Sequence, residues 1–225
     1  MITVPVTILD NFLENPLALR KWALDLEYHS DTHGTFPGER TLPLKQLQPD
    51  FNQYVTSKIV NLFFDDFHQI EVDGYFQNIT NLPESGWVHQ DHSLFTAIIY
   101  LSPSDPNINR GTSLYELNST HFYSTQNYPT DKKIWELRRK QYLKGNLTLQ
   151  EIELKNYYEN QTFTQTLNIP DKFNRLIVFD AQQFHANNPC IPSITKDRLT
   201  LILFFKKIAS KSLPSLVRSK KTIEF

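Results

Sequence analysis

Apolar positions follow one rhythm up to about residue 68 and another beyond it. Residues 4–9 are apolar and β-prone and read as a leading strand. After Asn11, residues 12–26 place Leu17, Leu19, Trp22, Ala23 and Leu26 on one helical face. Pro16 stands near the start of that segment, where a missing amide costs no helical hydrogen bond. Residues 29–44 hold Gly34, Pro37, Gly38 and Pro43 and read as a loop. A second helix is predicted over residues 49–64, with Phe51, Tyr54, Val55, Ile59 and Leu62 along one side. From Ile70 the texture is one of short strands: 70–79, 86–101, 112–117, 163–169, 174–179 and 198–208, parted by turns rich in Pro, Gly and Asn. This succession predicts a mainly β protein with flanking helices, built as a sandwich or jelly roll.

Residues 130–160 break the β texture. They are charged, contain no proline, and read as two helices around Gly145 and Asn146. Lying between two strands, they form either a surface insertion or a lid over one end of the sheet. The organisation expected is one domain over residues 1–225. Residues 1–68 give helical support, 69–208 the β core with an insertion at 118–162, and 209–225 a basic tail. That tail, with Lys211, Arg218, Lys220 and Lys221, reads as a solvated terminus.

Composition narrows the function classes. The chain of 225 residues is 40% hydrophobic and 21% charged, which is a globular rather than a disordered composition. Lys and Arg total 23 against 24 Asp and Glu, so a nucleic-acid partner is not expected. Cys190 stands alone, which excludes an intrachain disulfide and a Cys-x-x-Cys zinc ribbon. No apolar run approaches the ~18 residues of a membrane span. Residues 1–6 lack a basic segment followed by a long apolar one, so a cytoplasmic location is expected. The Asn-x-Ser/Thr sequons at Asn78, Asn118, Asn146 and Asn160 then read as accidents of an Asn-rich chain.

The chemistry concentrates in Trp87-Val88-His89-Gln90-Asp91-His92. On a strand, residues two apart share a face, so His89 and Asp91 would present an imidazole and a carboxylate side by side. That donor pair suits a divalent first-row metal. A second β-prone run, 175–179, leads to His185, a further imidazole at a strand end. Arg198 opens the apolar run 199–205, where an unpaired guanidinium would be costly to bury. A carboxylate, from Asp180, Asp197 or an anionic ligand, would answer it.

In this order His89, Asp91 and His185 resemble the two-histidine, one-carboxylate triad of the iron(II)- and 2-oxoglutarate-dependent oxygenases. Arg198-Leu199-Thr200 is similar to the Arg-x-Ser/Thr with which many of them hold the far carboxylate of 2-oxoglutarate. Tyr100 resembles the strand-end tyrosine of the prolyl-hydroxylase-like branch, which contacts the same carboxylate. Gly111-Thr112-Ser113-Leu114-Tyr115 resembles a strand common in compact members, and Ile8-Leu9-Asp10-Asn11-Phe12-Leu13 their opening. The resemblance spans residues 8–208. It implies a double-stranded β-helix core, iron(II) on His89, Asp91 and His185, and 2-oxoglutarate held by Arg198 with Tyr100 and Thr200. It also implies dioxygen as oxidant, ascorbate in a supporting role, and hydroxylation of a C–H bond in a peptide side chain, such as prolyl, or in a small metabolite. Related halogenases lose the carboxylate, so Asp91 favours hydroxylation.

Other residues have two readings each. Tyr75 and Gln77 share a strand face and reach the substrate or pack the core. Trp87 falls on the triad's face and walls or fills the pocket. Arg40 and His33, around the loop 36–39, border the substrate or fix a turn. His92 points away from Asp91, and Cys190 reads as a small buried hydrophobe. Three rivals remain. A zinc hydrolase with His-x-His-x-Asp-His would need a histidine at Trp87. A nucleic-acid dealkylase of the same superfamily would need an arginine at Phe204. A metal-free jelly-roll binding module would need no triad.

Overall fold

The computed structural model describes residues 6–30, 36–80, 86–105, 108–117, 160, 163–190 and 198–211. The expected helical insertion at 118–162 (Asn160 apart), the tail beyond residue 211, His33 and Asp197 lie outside the described residues.

Ten strands and three helices are described: β1 (Thr7–Leu9), α1 (Pro16–Leu24), β2 (His29–Ser30), β3 (Glu39–Arg40), α2 (Leu44–Leu47), α3 (Pro49–Val60), β4 (Gln69–Ile79), β5 (Phe95–Tyr100), β6 (Thr112–Leu117), β7 (Phe163–Ile169), β8 (Leu176–Asp180), β9 (Phe184–Asn187) and β10 (Arg198–Ala209). They form a seven-stranded sheet, β1-β8-β5-β10-β4-β3-β2, and a three-stranded sheet, β7-β6-β9. The described pairings are antiparallel, and the two sheets make the jelly-roll core with flanking helices that the pattern predicts. No helix among the described residues is long and apolar enough to cross a membrane.

Strand alternation gives the large sheet two different faces. Leu199, Leu201, Leu203 and Phe205 of β10 join Ala97 and Ile99 of β5 and Phe76 of β4 on the outer face. There they pack against Ala23 of α1 and Val55, Ile59 and Val60 of α3. Trp22 wedges edge-on against Phe76, with ring centroids 5.4 Å apart, and against Phe51 at 6.1 Å. The opposite, inner face carries Ile98, Tyr100, Ile177, Phe179 and Ile202, which meet Leu114 and Ile169 of the small sheet. Strand β5 is buried at all six positions, which is why its sequence reads as a continuous apolar run rather than an alternation.

Several predicted boundaries move, each for a visible reason. The first helix begins at Pro16, capped by the Asn15 side chain accepting the Ala18 N–H at 3.4 Å. Phe12 and Leu13 stay outside it because Asn174 claims their backbone: the Leu13 N–H donates to Asn174 Oδ1 and the Asn174 Nδ2 donates back to the Leu13 carbonyl, both at 2.8 Å. The helix from Pro49 ends at Val60, and Phe63 and Phe64 enter the outer core from the following turn. The loop at 29–44 contains two short strands and the start of α2. β3 pairs with β4, placing Arg40 opposite Gln77.

The largest correction concerns the expected strand at 86–101. Only residues 95–100 form it. His89 instead makes an isolated antiparallel bridge with His185 of β9, and the Asp91 N–H donates to the Ala181 carbonyl at 2.8 Å. The chain here crosses from the small sheet to the large one. The side-by-side placement of His89 and Asp91 therefore comes from bonds to two different partners, not from strand alternation alone.

Candidate metal centre

The centre is assembled from three pieces of backbone. His89 and His185 exchange both main-chain hydrogen bonds of their bridge, at 3.0 and 2.9 Å, so their side chains lie on the same face. Their ring centroids are 4.4 Å apart. Each ring is oriented by the same local device. Nδ1 of His89 lies 2.8 Å from the Trp87 carbonyl, and Nδ1 of His185 lies 2.8 Å from the Gln183 carbonyl. A carbonyl can only accept, so each Nδ1 carries the proton and each Nε2 keeps a lone pair for a metal. His89 Nε2 lies 3.5 Å from Asp91 Oδ1, and His185 Nε2 lies 3.3 Å from Asp91 Oδ2. All three ligand atoms fall within 4.8 Å of one another.

Two imidazole nitrogens and one carboxylate oxygen, gathered on one side, are the donor set of a facial triad that leaves coordination positions open. The residues present therefore fit a divalent first-row metal. The Thr96 hydroxyl, on the second residue of β5, donates to Asp91 Oδ2 and fixes the carboxylate. Burial works to raise the Asp91 carboxyl, but without a metal a proton on Nε2 of His185 or His89 outweighs it and holds the carboxyl well below the usual carboxylate range; a divalent metal would take that proton's place. Trp87 stacks on His89 at 5.5 Å with the planes 17° apart, and Phe179 packs on His185 at 4.6 Å.

Arg198 lies fully buried at the head of β10, with 0% exposure. Its Nε donates to the Arg110 carbonyl at 2.5 Å, and Nη2 reaches the Gly111 carbonyl and Thr112 Oγ1, each at 3.4 Å. Nη1 has no hydrogen-bond partner among the described residues. Tyr100 faces the same guanidinium, with its ring centroid 5.5 Å from the Arg198 Cζ, and its hydroxyl donates to Thr112 Oγ1 at 2.8 Å. Burial pushes the Tyr100 hydroxyl up, so it stays a donor. Burying a guanidinium nitrogen without an acceptor is costly. An orphaned Nη1 beside a phenol and a threonine hydroxyl is what a cradle for a ligand's carboxylate requires.

Asp180 does not answer Arg198. Its Oδ1 instead accepts the Gln182 N–H in the turn before β9. Thr200 is buried in register with Tyr100 and Gln77, but its hydroxyl donates to the Gln77 carbonyl at 3.4 Å. It braces β10 to β4 on the face that carries Arg198. Gln77 and Arg40 do meet: Arg40 Nε donates to Gln77 Oε1 at 3.1 Å, and Gln77 Nε2 donates to the Pro37 carbonyl at 2.7 Å. The Arg40 guanidinium lies 4.0 Å over Phe36, 5.6 Å from Tyr75 and 5.5 Å from Phe204. Tyr75, Gln77 and Arg40 thus form one group at the β3 edge of the inner face. His92 is exposed, and Cys190 is buried with Sγ 3.5 Å from the Ile79 carbonyl.

Four residues of the site went unassigned in the sequence. Thr96 and Thr112 look like ordinary β-branched strand residues, although Thr112 lies inside the Gly-Thr strand. Arg110 and Asp171, a buried ion pair, carry no local signal at all.

A model of the family of unknown function DUF6445 matches residues 2–205. Comparison with curated proteins finds no match. Solved structures are similar at low identity. HygX from Streptomyces hygroscopicus, with nickel, 2-oxoglutarate and hygromycin B bound, aligns at a TM-score of 0.55 and 13% identity, over 91% of this chain and 84% of its own. EvdO2 from Micromonospora carbonacea var. aurantiaca, complexed with 2-oxoglutarate, aligns at 0.52 and 11%, over 95% and 91%. At such identities the likeness is one of fold.

Proposed function

We propose, from the premise that this chain belongs to the family of unknown function DUF6445, that it is an iron(II)- and 2-oxoglutarate-dependent dioxygenase. One observation carries the reading. A His-Asp-His cluster with both Nε2 atoms turned to the Asp91 carboxylate shares the inner face with a buried arginine whose Nη1 has no partner among the described residues. The jelly-roll fold shared with HygX and EvdO2, whose structures hold 2-oxoglutarate, supports it.

In this reading His89, Asp91 and His185 hold iron. Together iron and 2-oxoglutarate supply the oxidising chemistry, in which dioxygen is consumed and decarboxylation of the co-substrate accompanies attack on a C–H bond. The protein's own part is placement. Arg198 Nη1 takes the far carboxylate, with the Tyr100 and Thr112 hydroxyls beside it. Thr112 lies two residues from Leu114, the partner of His185, which is about 7 Å of strand. A five-carbon diacid is of that length. Leu114, Ile98, Ile177 and Ile202 line the inner face between the two anchors and exclude water. Thr96 keeps Asp91 oriented, and the two carbonyls keep the rings turned.

The substrate would enter beside Trp87 and the Arg40, Gln77 and Tyr75 group, with hydroxylation of a peptide side chain or a small metabolite as the outcome. The direct test titrates anaerobic apoprotein with iron(II) and then 2-oxoglutarate, following the weak visible charge-transfer band of the chelate. The band is expected in the native protein and absent in Asp91→Ala. Iron binding without a band would overturn the co-substrate assignment, and folded protein that binds no iron would overturn the centre itself.

A further inference from the structure

A second pair of buried charges lies against the cradle, and the proposed chemistry uses neither. Arg110 is 1% exposed and Asp171, just after β7, is 7% exposed. Arg110 Nε and Nη2 each lie 3.2 Å from Asp171 Oδ2. The Arg110 backbone N–H donates to Asp171 Oδ1 at 3.0 Å, and Nη2 also donates to the Pro103 carbonyl at 2.8 Å. The carbonyl of this same residue accepts Arg198 Nε at 2.5 Å. Arg110 therefore stands between a buried carboxylate and a buried guanidinium, with its backbone N–H, Nε and Nη2 turned to the first and its carbonyl to the second. Gly111 makes the close approach possible: a Cβ there would lie 1.8 Å from the Ile169 carbonyl oxygen and 2.8 Å from the Asp171 nitrogen.

The charges matter as much as the shape. Arg198 has no protein carboxylate among the described residues, although a buried guanidinium gains most from one. Asp171 is the carboxylate at hand, one residue away through Arg110. We infer that Arg110 is a positioning residue that occupies Asp171, so that Arg198 keeps its Nη1 for the carboxylate of the co-substrate. The inference rests on the reading of Arg198 as the 2-oxoglutarate anchor. Arg110, Arg198 and Asp171 together leave one net positive charge, which matches a single carboxylate. A 2-oxo acid with an uncharged tail would leave that charge uncompensated, so the cluster also selects a dicarboxylate.

The test is a set of anaerobic 2-oxoglutarate titrations on iron(II)-loaded protein, read by the charge-transfer band. The native chain is compared with Arg110→Met, Asp171→Asn and the double variant, after thermal unfolding and iron binding have shown each to be folded. Asparagine keeps an oxygen for the residue-110 N–H while removing the charge. Arg110→Met bares Asp171 to Arg198 and should raise the half-saturating 2-oxoglutarate concentration about tenfold or more. Asp171→Asn should bind no more weakly than the native chain, and the double variant should recover to within about threefold of it. Arg110→Met titrating like the native protein overturns the inference. So does a tenfold loss in Asp171→Asn, which keeps Arg110 and therefore decides the matter even if Arg110→Met does not fold. A double variant as weak as Arg110→Met would also overturn it, showing a clamp of shape rather than of charge. Native protein that binds iron but gives no band is a separate result, and it removes the reading of Arg198 instead.

Discussion

A carboxylate in the centre is only as good a ligand as its surroundings make it. The Thr96 hydroxyl occupies one lone pair of Asp91 Oδ2, and the two imidazoles face the remaining oxygen surface. Thr96→Val keeps the β-branched shape in a fully buried position and removes only the donor. Metal affinity should fall about tenfold, as for the loss of other groups that orient ligands. Competition for iron(II) against a coloured chelator measures this, and unchanged affinity would show that the hydroxyl does not tune the ligand. His89, Asp91, His185 and Arg198 could be picked from the sequence because their types and order carry chemical meaning. Thr96 could not, since a threonine in a strand is ordinary until its hydroxyl is seen against a carboxylate. Thr200 is drawn out by the motif, and only the structure shows its hydroxyl on the Gln77 carbonyl.

Individual elements are joined by polar ties that no periodicity reveals. Asp10, just after β1, accepts from Arg175 Nε and Lys172 Nζ, both at 2.7 Å, and so fastens the leading strand to the approach of β8. Hydrogen bonds from Arg175, then from Lys172, hold the Asp10 carboxyl at about 2 against an ordinary 3.8. A carboxyl depressed in the folded state adds stability that is complete above its unfolded value and lost as the pH falls through its folded value. Asp10→Asn should therefore cost about 1 kcal/mol at pH 7, since the site is partly open to solvent. The deficit should shrink as the pH drops from 4 toward 2. Chemical unfolding of both proteins across that range measures it, and a deficit independent of pH would assign the cost to packing instead. Helices α1 and α3 were legible from their apolar faces, with ends set by Asn174 and by the turn after Val60, whereas the single turn of α2 was not. The isolated bridge at His89 was not, because its partner, His185, lies nearly a hundred residues further along the chain.

Across the whole molecule the large sheet separates stability from chemistry. Its outer face is buried by α1 and α3, and its inner face carries the site. Ile59 of α3 has no exposed surface and belongs to the outer core. Ile59→Ala should cost about 2–5 kcal/mol of stability, the range for truncating a buried aliphatic side chain. Below its lowered melting range the variant should titrate with iron(II) and 2-oxoglutarate as the native chain does. Thermal unfolding followed by that titration tests both halves. A shifted titration would mean that the outer core sets the geometry of the centre.

The sequence by itself determined the β-rich jelly roll with flanking helices, and the identities of the three metal-ligand candidates and the arginine. The first follows from spacing and residue type, which are local properties of the chain, and the second from the resemblance that the order of those residues carries. Tertiary structure alone decided what completes them. The His89–His185 bridge, the hydroxyls of Thr96 and Thr112, and the occupation of Asp171 by Arg110 join residues far apart in the chain. Pairings of that kind are set by how two sheets close on one another, and no local spacing encodes them.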